Sequence, residues 1–227
     1  MDGREFDIEN VDTALKTGSG DLDAIFQLCC EYANRDNRYA MSRLARMYRE
    51  GKGIEPNLDL AIFWMKKAYE LKVSFARYEL CDLYIRRSKI DANIAFELCV
   101  AEAEGKSARA LGRLATMYRD GIGCEKNIDI AIKTMTSAHD AGLEWAGLEL
   151  VRMLEYRNGP GDYQTAFTLC SKLSENNNIK ATGHLGQMYL NGIGCRSDKD
   201  KALMYLKSAA EAGIEWARKD YKKIIRM

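Results

Sequence analysis

The sequence predicts an all-α fold, a solenoid of about six stacked helical hairpins closed by a C-terminal capping helix. Three observations predict it. A block of sequence recurs about every seventy residues. Small and apolar residues fall at helical spacing inside each block. The 227 residues hold only 2 prolines, the residue that interrupts helix interiors.

The repeat is read directly. MSRLARMYREGKGIEPNLDLAI begins at Met41, LGRLATMYRDGIGCEKNIDIAI at Leu111 and TGHLGQMYLNGIGCRSDKDKAL at Thr182, offsets of 70 and 71. Phe26–Cys29, Phe96–Cys99 and Phe167–Cys170 recur at the same spacing. Ala40, Ala76, Ala110, Ala146, Ala181 and Ala217 mark half-repeats of 34 to 36 residues, the length of two helices with short turns. The chain reads as one repeat domain over 1–227. Full pairs span 40–109 and 110–180, flanked by partial ones at 1–39 and 181–227.

In chain order, helices are expected over 4–16 and 21–33, the second capped by Asp21. A third over 39–50 carries Ala40, Leu44, Ala45, Met47 and Tyr48, and ends at Gly51, where a left-handed C-terminal glycine belongs. The next, 58–71, is capped by Asn57 and carries Leu60, Ala61, Trp64 and Ala68 on one stripe. Helices over 74–87 and 92–104 follow, with Asp91 as the cap of the second. The same series then repeats: 108–120, 128–141 (capped by Asn127), 144–157, 162–175 (capped by Asp162), 179–190 and 199–211 (capped by Ser197). The last helix, 214–225, turns Arg218, Lys219, Lys222 and Lys223 to water, as a solenoid end requires. Alternate half-repeats replace the Gly-x-Gly turn by RRSKID or RNGPGD.

Composition narrows the function. A net charge of +1 gives no global field toward nucleic acid or membrane. No apolar run is long enough for a membrane span, and the start, MDGREFDIEN, is wrong for a leader peptide. The 7 cysteines lack zinc spacing and fit free thiols in a reducing cytoplasm. No metal or cofactor is expected. Cys29, Cys99 and Cys170 share one repeat position, the behaviour of a packing residue rather than of a nucleophile.

The pattern Ala-x-x-x-Leu-(Gly/Ala)-x-x-Tyr-x-x-Gly-x-Gly, followed by two alanines on the next helix, resembles the Sel-one-like repeat, a relative of the tetratricopeptide repeat. It lies at Ala40, Leu44, Ala45, Tyr48, Gly51, Gly53, Ala61 and Ala68. It recurs from Ala110 to Ala138 and from Ala181 to Ala209. The resemblance implies a right-handed α/α superhelix, a concave groove lined by the first helix of each hairpin, and a role as adaptor or scaffold. The disulfide bridging of some bacterial members is not carried over, because these cysteines do not form one pair per repeat.

Three candidate chemistries fail at the sequence level. Gly-x-Gly preceded by a helix fits a turn, whereas phosphate loops need a longer glycine pattern after a strand. His139 and His184 occupy unlike repeat positions and show no catalytic partner. The carboxylates are spread like ordinary surface charge, with no isolated pair.

The groove is more informative. The residues just before the marker alanines, Tyr39, Phe75, Arg109, Trp145, Lys180 and Trp216, are expected to point into it, with Arg46, Arg49, Tyr78, Arg119 and Arg152 further along the same helices. Aromatic and arginine side chains are what interface hot spots favour. Packing of Phe75, Trp145 and Trp216 against a preceding helix is the plainer reading, and the two are compatible.

The sequence therefore points to a non-catalytic scaffold, a monomer or weak oligomer, that binds a protein or peptide segment in its groove. It does not point to nucleic-acid binding or membrane insertion. One alternative is a regulatory or targeting module of a larger enzyme or complex. Another is a hydrolase of cell-wall material, for which no nucleophile, base or metal constellation is readable.

Overall fold

The computed structural model describes residues 7–73, 75–88, 91–105 and 107–226. Among them run thirteen helices and no strand: α1 (Ile8–Thr17), α2 (Leu22–Asn34), α3 (Arg38–Glu50), α4 (Leu58–Glu70), α5 (Ala76–Arg87), α6 (Asp91–Glu104), α7 (Ala108–Asp120), α8 (Ile128–Asp140), α9 (Ala146–Arg157), α10 (Asp162–Glu175), α11 (Ile179–Asn191), α12 (Lys199–Glu211) and α13 (Glu215–Ile224). The expected boundaries agree to within two residues, except at the start of the first helix, where 4–6 lie outside the described residues. The chain divides into two compact units. One runs to Cys99 and includes Ile122–Cys124, and the other takes Val100–Gly121 and the chain from Glu125 on. Within each unit, helices pack on their sequence neighbours, the contact pattern of a helical-hairpin solenoid.

Two glycines build the turn of α3–α4, α7–α8 and α11–α12, each for its own reason. Gly51, Gly121 and Gly192 adopt the left-handed conformation and donate their N–H to the carbonyls of Met47, Met117 and Met188. Gly53, Gly123 and Gly194 are also at positive φ, and a Cβ there would run into the backbone carbonyls of Leu22, Ala92 and Tyr163. The second glycine thus lets the turn lie against the start of the preceding second helix. Lys52 N–H also donates to Met47 O, so this loop closes a helix end instead of presenting its amides to a phosphate.

The caps differ in part from expectation. Asn57 and Asn127 accept from the amides of Leu60 and Ile130. In the third copy the cap is Asp198, which accepts from Lys201 N–H, and Ser197 instead donates to Leu190 O. Asp21 caps α2 as expected, but Asp91 and Asp162 are the first residues of their helices.

Those two aspartates hold the α5–α6 and α9–α10 turns, the second of which also places Asn158 and Gly161 at positive φ. Arg87 donates to both oxygens of Asp91 at 2.8 and 2.9 Å and to Asp59 at 2.9 Å. Arg157 does the same with Asp162 at 2.8 and 2.5 Å and Asp129 at 2.7 Å. One guanidinium at the end of a first helix therefore ties the starts of the two second helices beside it. These hydrogen bonds hold the Asp91 and Asp162 carboxyls below their ordinary range, Asp91 at about 2.

The core is small-residue packing. All six marker alanines are buried, as are Ala61, Ala68, Ala131, Ala138, Ala202 and Ala209. Met47, Met117 and Met188 fill one equivalent buried position in the three copies. Cys29, Cys99 and Cys170 are buried, and all seven cysteines are free thiols. Burial pushes the Cys29 and Cys170 thiols up to about 12, far from nucleophilic. The four basic residues of α13 are exposed, as expected of an end helix.

Candidate functional site

The first helices of the hairpins, α3 and α5 in one unit and α7, α9, α11 and α13 in the other, carry the expected site residues. Helical spacing puts Tyr39, Arg43, Arg46 and Glu50 on one face of α3.

In the first unit the structure brings Phe75, Arg46 and Arg49 together. They line a pocket of about 260 Å³ with Asp12, Ser42 and Glu79. Phe75 is half-buried, with the Arg43 guanidinium 5.6 Å from its ring centroid. Tyr39 is exposed on the preceding turn, with Arg38 5.0 Å over its ring. Tyr78 is half-buried and does not line this pocket.

In the second unit Trp145 is 46% exposed, yet its edge is fixed. A Cβ added at Gly112 on α7 would stand 2.9 Å from the Trp145 Cη2 and Cζ2 atoms. Trp216 lies the same way over Gly183 on α11, its Cη2 2.6 Å from such an atom. Ser42, Gly112 and Gly183 are one repeat position: the larger rings of Trp145 and Trp216 lie over glycine, where the copy with Phe75 has serine. The tryptophans pack, but on the preceding first helix and not on the end of the helix just before them. One edge packs there, and the rest faces solvent. Arg109 and Lys180 are exposed at the corresponding positions of α7 and α11.

The arginines are not bare cations. Arg49 donates to Glu79 across helices and to Glu50 at 2.6 Å. Arg46 donates to Glu50 at 3.0 Å, and Arg43 to Asp12 at 2.8 Å. Arg119 repeats the arrangement with Glu149 and Asp120, and Arg152 reaches Glu149 at 3.3 Å. In the third copy Leu190 replaces the arginine, and Gln187 donates to Asp220 at 2.7 Å. Burial opposes the charge on Glu50, but hydrogen bonds from Arg49, Lys52 and Arg46 outweigh it and hold the carboxyl at about 2. The carboxylates are therefore not the scattered surface charge the sequence suggested. Glu79, Glu149 and Asp220 hold one repeat position, a regularity that was open to detection at the offset of seventy.

The histidines stand apart in role. His184 Nε2 lies 2.9 Å from Glu155, while His139 ends α8 beside Gly147. Neither contact supplies a nucleophile.

Three stretches, residues 38–73, 108–138 and 180–214, match the Sel1 repeat family. The chain carries three Sel1 repeats. These stretches coincide with the glycine-turn hairpins. Sel1-repeat proteins are generally protein-interaction scaffolds, typically without catalysis. Among solved structures, a Sel1 repeat protein from Oxalobacter formigenes aligns with a TM-score of 0.67 and 22% identity over 94% of this chain and 88% of that one. The protective antigen c5321 of uropathogenic Escherichia coli, described as displaying an SLR fold, aligns with a TM-score of 0.67 and 21% identity over 96% of this chain but 49% of its own. The human IFIT1 dimer with PPP-AAAA aligns with a TM-score of 0.60 and 17% identity, over 96% and 53%. These likenesses show the fold. Among the described residues no helix of this chain is long and apolar enough to cross a membrane.

Proposed function

We propose that this protein is a non-catalytic adaptor that holds an extended or helical segment of a protein partner along the face of its first helices. The observation that carries the reading is Trp145: a large ring locked at one edge over Gly112 and left 46% exposed. A ring already fixed in place loses little freedom on binding, so its buried area converts more fully into affinity.

The contacting set is Arg109, Arg119, Trp145, Arg152 and Lys180 in the second unit, and Tyr39, Arg46, Arg49, Phe75 and Tyr78 form the corresponding face of the first unit taken by itself. The partner segment carries apolar side chains for the rings and acidic ones for Arg109, Arg152 and Lys180, which are exposed. Because Arg46, Arg49 and Arg119 are already paired with carboxylates, the face suits a peptide of mixed character better than a polyphosphate chain.

The test is affinity capture from the native cell with the wild type and with Trp145→Ala/Arg109→Ala/Arg152→Ala, read by quantitative mass spectrometry. The specific partner is expected to fall at least about tenfold in the variant, the equivalent of losing one hot spot. Equal capture by a folded variant refutes the assignment of this face.

A further inference from the structure

A second site is suggested on the other layer of the same unit. Helices α8 and α10 flank a groove of about 490 Å³ whose floor is Leu150 and Leu154 of α9. Ile132 and Leu169 form its apolar walls. That volume is in the range of small-ligand sites, which are mostly apolar with a few polar groups at the edge.

The walls are more apolar than their residue names suggest. Thr136, Thr165 and Thr168 all line the groove, and each donates its hydroxyl to a carbonyl of its own helix, those of Ile132, Gly161 and Gln164, at 2.9, 3.0 and 2.9 Å. With their donors engaged, what they offer an occupant is chiefly their methyl groups. No carboxylate lines the groove, and Lys172 and His139 stand at its edge.

The equivalent positions of α4, α5 and α6 are built differently. There Tyr84 replaces Leu154, Tyr69 replaces His139, Glu97 replaces Thr168 and Ala101 replaces Lys172. Tyr84 is buried beneath Arg87, whose guanidinium is 5.6 Å from the ring centroid. From one copy to the other, two large rings give way to smaller side chains, and a carboxylate is removed. The cation also moves, from Lys66, where the second copy has Thr136, to Lys172. Apolar lining, the absence of a carboxylate and a cation at Lys172 thus come together in the second copy.

We propose that the groove between α8 and α10 binds a small amphipathic anion free in solution, an acyl or aryl carboxylate, with its apolar part on Leu150 and Leu154 and its carboxylate at Lys172. The site is independent of the first-helix face, and failure of either leaves the other standing.

The experiment is calorimetric titration of the full chain with decanoate, backed by fluorescence titration with anilinonaphthalene sulfonate. One saturable site is expected. Leu154→Tyr, which installs the first copy's side chain, should weaken it about tenfold or more, the effect of filling an apolar pocket. Lys172→Gln and Thr168→Glu lie at exposed positions, so they should fold normally and each weaken binding about threefold or more by changing the charge at the edge. Absence of saturable binding with both probes overturns the proposal, as does binding that survives Lys172→Gln and Thr168→Glu unchanged.

Discussion

The hairpins α3–α4, α7–α8 and α11–α12 turn on two glycines, whereas α5–α6 and α9–α10 are held by an arginine. The task is the same in both: end one helix, start the next, and seat the turn against a neighbouring second helix. The glycine turns solve it with backbone conformation, at φ values near +70° that only glycine adopts without strain. The arginine turns rely on charge, one guanidinium bound to the starts of two helices, and in α9–α10 this is added to Asn158 and Gly161 at positive φ. The first solution is insensitive to salt and pH, and the second depends on both. The family match covers the glycine turns and leaves out 74–107 and 139–179. A repeat can therefore keep its packing while exchanging the device that closes it.

The largest effect is expected from Gly194→Ala. It forces a non-glycine residue to positive φ and drives a Cβ into the Tyr163 backbone, which cannot retreat as a side chain could. A loss of about 3 kcal/mol is expected, combining backbone strain with overpacking, and read from the urea midpoint. If this substitution costs less than the loss of an arginine tie, the comparison fails.

Next comes Arg157→Met. It leaves the Asp162 side chain, 4% exposed, without its guanidinium, at a cost of about 2–3 kcal/mol. Arg87→Met should cost less than Arg157→Met, because the Asp91 and Asp59 side chains it abandons are more exposed. Adding Asp162→Asn to Arg157→Met should recover part of the loss in a double-mutant cycle. Equal costs for the two arginines would mean that burial of the carboxylate does not set the strength of the tie.

Acid sharpens the comparison further, because one glycine-turn hairpin also carries a charge cluster. The folded-state pKa of Glu50, held at about 2, is below the ordinary glutamate value of about 4.3. Its contribution is full above that ordinary value and is lost as pH falls toward about 2. The stability gap between wild type and Glu50→Gln, measured by urea unfolding, should be widest near neutrality and close across this window. A gap independent of pH would remove the cluster from the account.

The smallest effect is expected at Gly112→Ala. The helix conformation suits alanine, but the Cβ would run into Leu143 Cδ2 and stand 2.9 Å from the Trp145 edge, so a gain in helix propensity partly offsets the crowding of both side chains. A net loss of about 1 kcal/mol should accompany a shift of the tryptophan emission as the ring is pushed outward. Unchanged emission would show that Leu143, and not the ring, absorbs the added methyl.

Most of the fold was legible in the sequence. The apolar period places helices, and the first glycine of each turn marks their ends for a stereochemical reason. The caps were misread where the chemistry is ambiguous. Ser197 and Asp198 can each accept an amide hydrogen bond, and a one-residue shift of register decides which does. Asp91 and Asp162 look like caps, but their oxygens are engaged by arginines. The ties of Arg87 and Arg157 went unread, although Asp59, Arg87, Asp129 and Arg157 obey the seventy-residue offset and left a signal. The candidate face was chosen by counting from the marker alanines. That Arg49 and Arg119 are engaged by Glu79 and Glu149 was not.

By itself the sequence determined that helices form, where they end and that they repeat, because these follow from local sterics and from a period written along the chain. The tertiary structure alone decided which arginines are paired, which tryptophan edge is buried and how wide the groove between α8 and α10 is. Those outcomes depend on groups about thirty residues apart meeting across helices. Their distances and volumes exist only once the helices are packed.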